Sequence, residues 1–197
     1  MSFVEEEIAS QPACWRRAAA LATRLSAALP GKGRRVAILG CGTSWFVAQA
    51  MASLREATGH GETDAFAASE APLGRRYDSV ITLSRSGTTT EVLAAAEALV
   101  GTTTVAITAD GSAPLAALTD RAIVLDFADE RSVVQTRFAT TVLALLRAHL
   151  GHALDLVAVD AEDALEAPLP ETPSDVNEWP SAHQRQTRPP EYWRSFP

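Results

Sequence analysis

Residues 79–100 read SVITLSRSGTTTEVLAAAEALV, and the three parts of this stretch set the fold. Ser79–Leu83 is a short apolar run without alternation, the pattern of a strand covered on both faces. Residues 84–89 then spend every position on a small hydroxyl, an arginine or a glycine, and from Thr90 the spacing turns helical. Upstream the same order occurs: Arg35–Leu39 (RVAIL) leads into GCGTS at Gly40–Ser44, and a helical pattern runs from Trp45 to Thr58, stopped by Gly59. Downstream it occurs again as Thr103–Thr108 (TTVAIT), the turn ADGSAP and a short helix at Leu115–Leu118, followed by AIVL at Ala122–Leu125 and a long helix over Val133–Leu150. Thr63–Ala68 is a weaker strand. At the front, QPACWRRAAALATRLSAAL predicts an amphipathic helix with Pro12 in its first turn and Gly31 beyond its end. Strands alternating with helices through tight small-residue loops predict a doubly wound α/β domain. Its mostly parallel sheet has about five strands, with helices on both faces in three layers.

Composition bounds the partners. The 197 residues, 47% of them hydrophobic, suffice for one sizeable core. Asp and Glu number 24 against 17 Lys and Arg, a net charge of −7 with no basic stripe, which argues against nucleic acid as a partner. No apolar run approaches the ~20 residues of a membrane span, and the opening MSFVEEEIAS is acidic where a signal peptide is basic, so a cytoplasmic protein with no membrane partner is expected. Cys14 and Cys41 form no CxxC pair, which speaks for free thiols and against a disulfide framework or structural zinc. His149 and His152 sit at i and i+3, but histidine suits a helix end anyway, and no metal is expected. Lys32 is the sole lysine.

Ligands of such sheets bind outside the carboxyl ends of the strands, where GCGTS and SRSGTTT lie. A loop of Ser, Thr and Gly opening a helix is an anion cradle: backbone N–H groups point outward, hydroxyls add donors, and the helix dipole favours negative charge. Gly87 permits close backbone approach; Ser84, Ser86, Thr88 and Thr89 supply donors; Thr90 is placed to cap the helix. One such loop reads equally well as an ordinary N-cap, whereas two on equivalent strands point to phosphate. A dinucleotide fingerprint fails because Trp45 stands where GxGxxG needs its last glycine. The GKG at Gly31–Gly33 lacks the spacing and hydroxyl of a Walker A loop, and Ser84 occupies the first glycine position of a GxSxG elbow around Ser86.

Four motifs in order, GCGTS, ASE at Ala68–Glu70, ITLSRSGTTTE and SVVQTRFATT at Ser132–Thr141, resemble those of the sugar isomerase (SIS) domain. The similarity is to the isomerase half of glucosamine-6-phosphate synthase and to ketose/aldose phosphosugar isomerases, over roughly residues 1–165. The resemblance implies a phosphosugar ligand, no cofactor and a homodimer. It implies that Gly42, Thr43, Ser44 and Gln135 face the sugar, and that Ser84, Arg85, Ser86, Gly87, Thr88 and Thr89 form the phosphate loop. Arg85 and Gln135 are departures, since relatives often carry glutamine and serine there; Arg85 offers an added bidentate contact to phosphate. Arg137 replaces a frequent lysine.

No catalytic residue is assigned. Aldose–ketose interconversion needs a carboxylate base and a histidine or lysine for ring opening. The second-domain motifs that supply them in two-domain relatives are missing, and so is the glutamine-hydrolysing domain. Glu70 and Glu91 have ordinary helix-terminus explanations. From residue 166 the chain turns Pro-rich and loses periodicity, with seven of the eleven prolines after Ala167, predicting a tail in place of a second SIS domain, by truncation or frameshift. Two functions follow: the phosphosugar site of an isomerase or aminosugar-phosphate isomerase/deaminase, incomplete in this chain, or a non-catalytic phosphosugar sensor acting through a protein partner.

Overall fold

The computed structural model describes residues 2–99 and 101–167. Its strands are β1 (Val36–Gly40), β2 (Thr63–Ala67), β3 (Ser79–Leu83), β4 (Thr103–Thr108) and β5 (Arg121–Val124). All pair in parallel, in the order β2-β1-β3-β4-β5. The central strands β1 and β3 are buried along their whole length, which is why they read as unbroken apolar runs. The edge strands β2 and β5 are partly exposed and correspondingly faint in the sequence. Around the sheet lie α1 (Phe3–Leu25), α2 (Thr43–Ala57), α3 (Thr90–Ala98), α4 (Pro114–Leu118), α5 (Arg137–His149) and α6 (Asp155–Glu166). Single 3-10 turns follow β2 at Ala68–Glu70 and β5 at Asp126–Ala128. No helix among the described residues is long and apolar enough to cross a membrane.

The two sides of the sheet are filled differently. Ile38, Ile81 and Ile107 pack beneath α1, α2 and α5 with Met51, Phe138 and Leu145. On the other side Ala37, Val80 and Ala106 meet α3 and α4 through Val92, Ala95 and Leu115. Alternation along the strands sends one set of side chains to each layer, and the layer beneath α1, α2 and α5 is the larger.

Three expectations are corrected. α1 begins at Phe3, well before the predicted start, so Pro12 lies inside the helix and not in its first turn. A capping box explains the early start: Ser2 Oγ accepts from the Glu5 N–H and the Glu5 carboxylate accepts from the Ser2 N–H. α5 begins at Arg137, not Val133, because residues 131–136 are held as a loop by two buried carboxylates described below. α6 has no counterpart among the predicted elements: its apolar Leu156 and Val159 point outward and Ala158 is its one buried residue, so hydrophobic spacing does not mark it. The predicted tail lies, apart from Glu166 and Ala167, outside the described residues.

Candidate functional site

The strand order reverses between β1 and β3, which lie side by side with Gly40 opposite Leu83. From these paired residues the two hydroxyl loops leave the same rim and diverge, one into α2 on the face shared with α1 and α5, the other into α3 on the opposite face. A crevice at such a reversal is where open α/β sheets take ligands.

In the first loop Gly40 has no room for a side chain: an added Cβ would stand 2.7 Å from the Ser44 carbonyl carbon, so α2 rests directly on the strand end. Gly42 is the N-cap of α2 at φ +54°, and no side chain caps the helix there. Thr43 is exposed and Ser44 buried. Cys41, half-buried beside them, has its thiol pushed up by burial, with an opposing hydrogen bond from the Ala68 backbone.

The second loop folds upon itself. The buried Ser84 Oγ lies 2.9 Å from Thr89 Oγ1 and accepts the Gly87 N–H at 3.1 Å, while its own N–H extends the ladder to the Ile107 carbonyl. Ser86 Oγ accepts from both the N–H and the hydroxyl of the exposed Thr88. Gly87, at φ +64°, is buried, and an added Cβ would stand 2.5 Å from Ala113 Cβ; the glycine serves internal packing against α4 more than approach to a ligand. Thr89, not Thr90, is the N-cap of α3, and because its hydroxyl turns back to Ser84 this helix too lacks a side-chain cap. Both first turns therefore present backbone N–H groups at the rim with no side chain across them.

Arg85 does not project freely. Its Nη1 donates to Asp129 Oδ1 at 3.1 Å and to the Glu130 carbonyl at 2.8 Å, tying the loop to the segment before α5. Thr108, not flagged by the sequence, ties the same loop from below by donating to the Arg85 carbonyl at 3.0 Å.

The segment between Glu130 and α5 carries Gln135, whose amide oxygen is buried and without a hydrogen-bond partner. Two carboxylates that the sequence does not single out organise this segment. Glu7, 2% exposed, accepts from Arg131 N at 2.6 Å, Ser132 N at 3.1 Å, Ser132 Oγ and Thr136 Oγ1 at 3.2 Å. Burial opposes its ionisation, but these hydrogen bonds outweigh it and hold its carboxyl at about 2. Glu130, 4% exposed, accepts through Oε1 from Thr136 N, Thr136 Oγ1 and Arg137 N, covering the start of α5. Arg137 reaches back to the Asp129 carbonyl and to Ser10 Oγ on α1, an internal tie between the segment and the first helix.

Two exposed carboxylates stand at the same rim: Glu91 lies in the first turn of α3, near enough to Cys41 to help raise its thiol, and Glu70 closes the 3-10 turn after β2. His149 bonds the Pro30 carbonyl and the His60 carbonyl accepts from Gly33 N, which places both histidines at the amino ends of the strands, near Lys32. Among the described residues no three His, Cys, Asp or Glu are grouped to hold a metal. A concavity of about 650 Å³ also lies at the amino end, lined by Thr102–Thr104, Asp120 and Arg121. Its Asp120 accepts from the N–H and the hydroxyl of Thr104.

The model of the SIS domain family matches residues 31–150. Among solved structures, tagatose-6-phosphate ketose/aldose isomerase from Escherichia coli superposes with a TM-score of 0.71 at 22% identity, over 83% of this chain and 53% of that one. The C-terminal domain of glucosamine-fructose-6-phosphate aminotransferase from Francisella tularensis gives 0.61 at 18% identity, over 84% and 52%. Glucosamine-6-phosphate deaminase from Thermotoga maritima gives 0.63 at 23%, over 84% and 54%. This chain thus spans about half the length of these proteins. No curated protein matches it.

Proposed function

Because the chain belongs to the SIS domain family, we propose that it is a phosphosugar-binding module of the sugar-phosphate isomerase type. One observation supports this reading: two helices without side-chain caps start from neighbouring, paired strand ends, so both sets of free N–H groups open at one rim of the sheet. In it the phosphate is held by the 84–89 loop, with Ser86 and the first turn of α3 as donors. The sugar lies toward Thr43, Ser44 and Gln135. Arg85 acts by holding the loop against Asp129 and Glu130 and, with its second nitrogen, by adding positive potential.

Calorimetric titration with pentose, hexose and aminohexose phosphates, each beside its unphosphorylated sugar, tests the reading. Binding of phosphorylated sugars alone is expected; equal behaviour of the two sets sinks it. Ser86→Asp, which puts a like charge into the cradle at a half-exposed position, is expected to weaken phosphosugar binding by about 100-fold while leaving the fold intact.

A second reading, ligand sensing without turnover, is favoured by the placement of His60, His149 and Lys32 at the opposite end of the sheet, away from any ring-opening role. Turnover of fructose 6-phosphate or glucosamine 6-phosphate by the purified chain would decide for catalysis. Under either reading a second copy covers the exposed apolar residues Phe3, Val4, Val133 and Val134.

A further inference from the structure

We infer that Glu7, on the first helix, is a positioning residue that aims Gln135 at the sugar, and that this pair lets the site tell a sugar phosphate from bare phosphate. The inference rests on the phosphosugar reading above.

Glu7 is spent entirely on another part of the chain. Four hydrogen bonds to its carboxylate come from Arg131, Ser132 and Thr136, more than 120 residues away. Glu130 grips the same segment from its far end through Thr136 and Arg137. The single Thr136 hydroxyl proton faces both carboxylates, at 3.2 Å and 2.9 Å, so the segment is seated between two like charges. The cationic side chains of the segment are engaged elsewhere: the Arg131 guanidinium lies over the Phe3 ring, 4.3 Å from its centroid, and Arg137 is fixed on Ser10 and the Asp129 carbonyl. Between the two anchors only residues 133–135 are left to follow, and Gln135 is the polar one.

In the phosphosugar reading Gln135 faces the sugar, with chemistry unlike that of the phosphate loop. The helix termini and the Ser86 hydroxyl, which accepts from Thr88 and keeps its own proton, present donors, which suit a phosphoryl group that has only acceptors at neutral pH. The buried Gln135 oxygen is an acceptor lacking a donor, a state that carries a desolvation penalty until a hydroxyl arrives. A sugar hydroxyl can supply that proton; inorganic phosphate dianion has at most one, and spends its oxygens on the cradle.

The test is a ratio. Wild-type affinity for the tightest sugar phosphate of the panel is divided by affinity for inorganic phosphate, and the same is done for Glu7→Leu, Glu7→Gln and Gln135→Ala. Glu7→Leu and Gln135→Ala are each expected to lower the ratio about tenfold through the sugar phosphate alone, their double variant no further, and Glu7→Gln, which can still reach the Arg131 and Ser132 amides, to keep most of it. A Glu7→Leu protein that loses both ligands equally shows a merely structural role and overturns the inference, as does an unchanged ratio. Should Glu7→Leu fail to fold, Gln135→Ala with an unchanged ratio overturns it alone. A wild type that binds neither ligand, or both alike, fails the phosphosugar reading itself and the inference with it.

Discussion

At the scale of single residues, glycine and glutamate carry the sharpest constraints. Gly87 combines a left-handed backbone with a methyl-sized gap already filled by Ala113. Gly87→Ala is expected to destabilise the fold by about 2–4 kcal/mol in chemical denaturation, from backbone strain and overpacking together. Glu7 sets the acid limit. Because its folded carboxyl is held at about 2, below the ordinary 4.5, the stability it contributes is complete above the ordinary value and drains away as pH falls from about 4.5 toward 2. Glu7→Gln should flatten that limb of a stability profile measured by urea titration at successive pH values; an unchanged limb would assign the acid sensitivity to another carboxylate.

Among the elements, legibility follows burial. β1, β3 and β4 are readable because both faces of each are covered, which leaves no alternation to confuse with a helix. The first two turns of α1 are invisible for the opposite reason: Phe3, Val4 and Ile8 face solvent while the buried residue is Glu7, an inverted pattern that no hydrophobic period detects. The two hydroxyl loops are legible because their chemistry is local in composition. The partners of Arg85 and Glu7 are not, since they stand 44 and 124 residues away and are set only by the docking of the chain. The capping box that starts α1 makes its own claim: Ser2→Ala is expected to lower stability by about 1 kcal/mol in thermal unfolding, without moving Glu7.

For the whole molecule, the apolar faces of α1 and α5 are spent on each other and on the core. Any pairing of copies falls instead to the exposed Val133, Val134 and Phe3. Val134→Asp is expected to shift a dimer toward monomer in sedimentation velocity; an unaltered profile places the contact elsewhere. The unequal filling of the two sheet faces reaches further. The smaller of the two layers gives α3 and α4 less apolar surface to lose, so these helices are expected to detach first in native-state amide exchange, ahead of α1, α2 and α5. Since α3 opens from the anion-gripping loop, an occupied crevice would act as a latch on the weaker half, and the lifetimes of its amide protons would register the ligand before any product did.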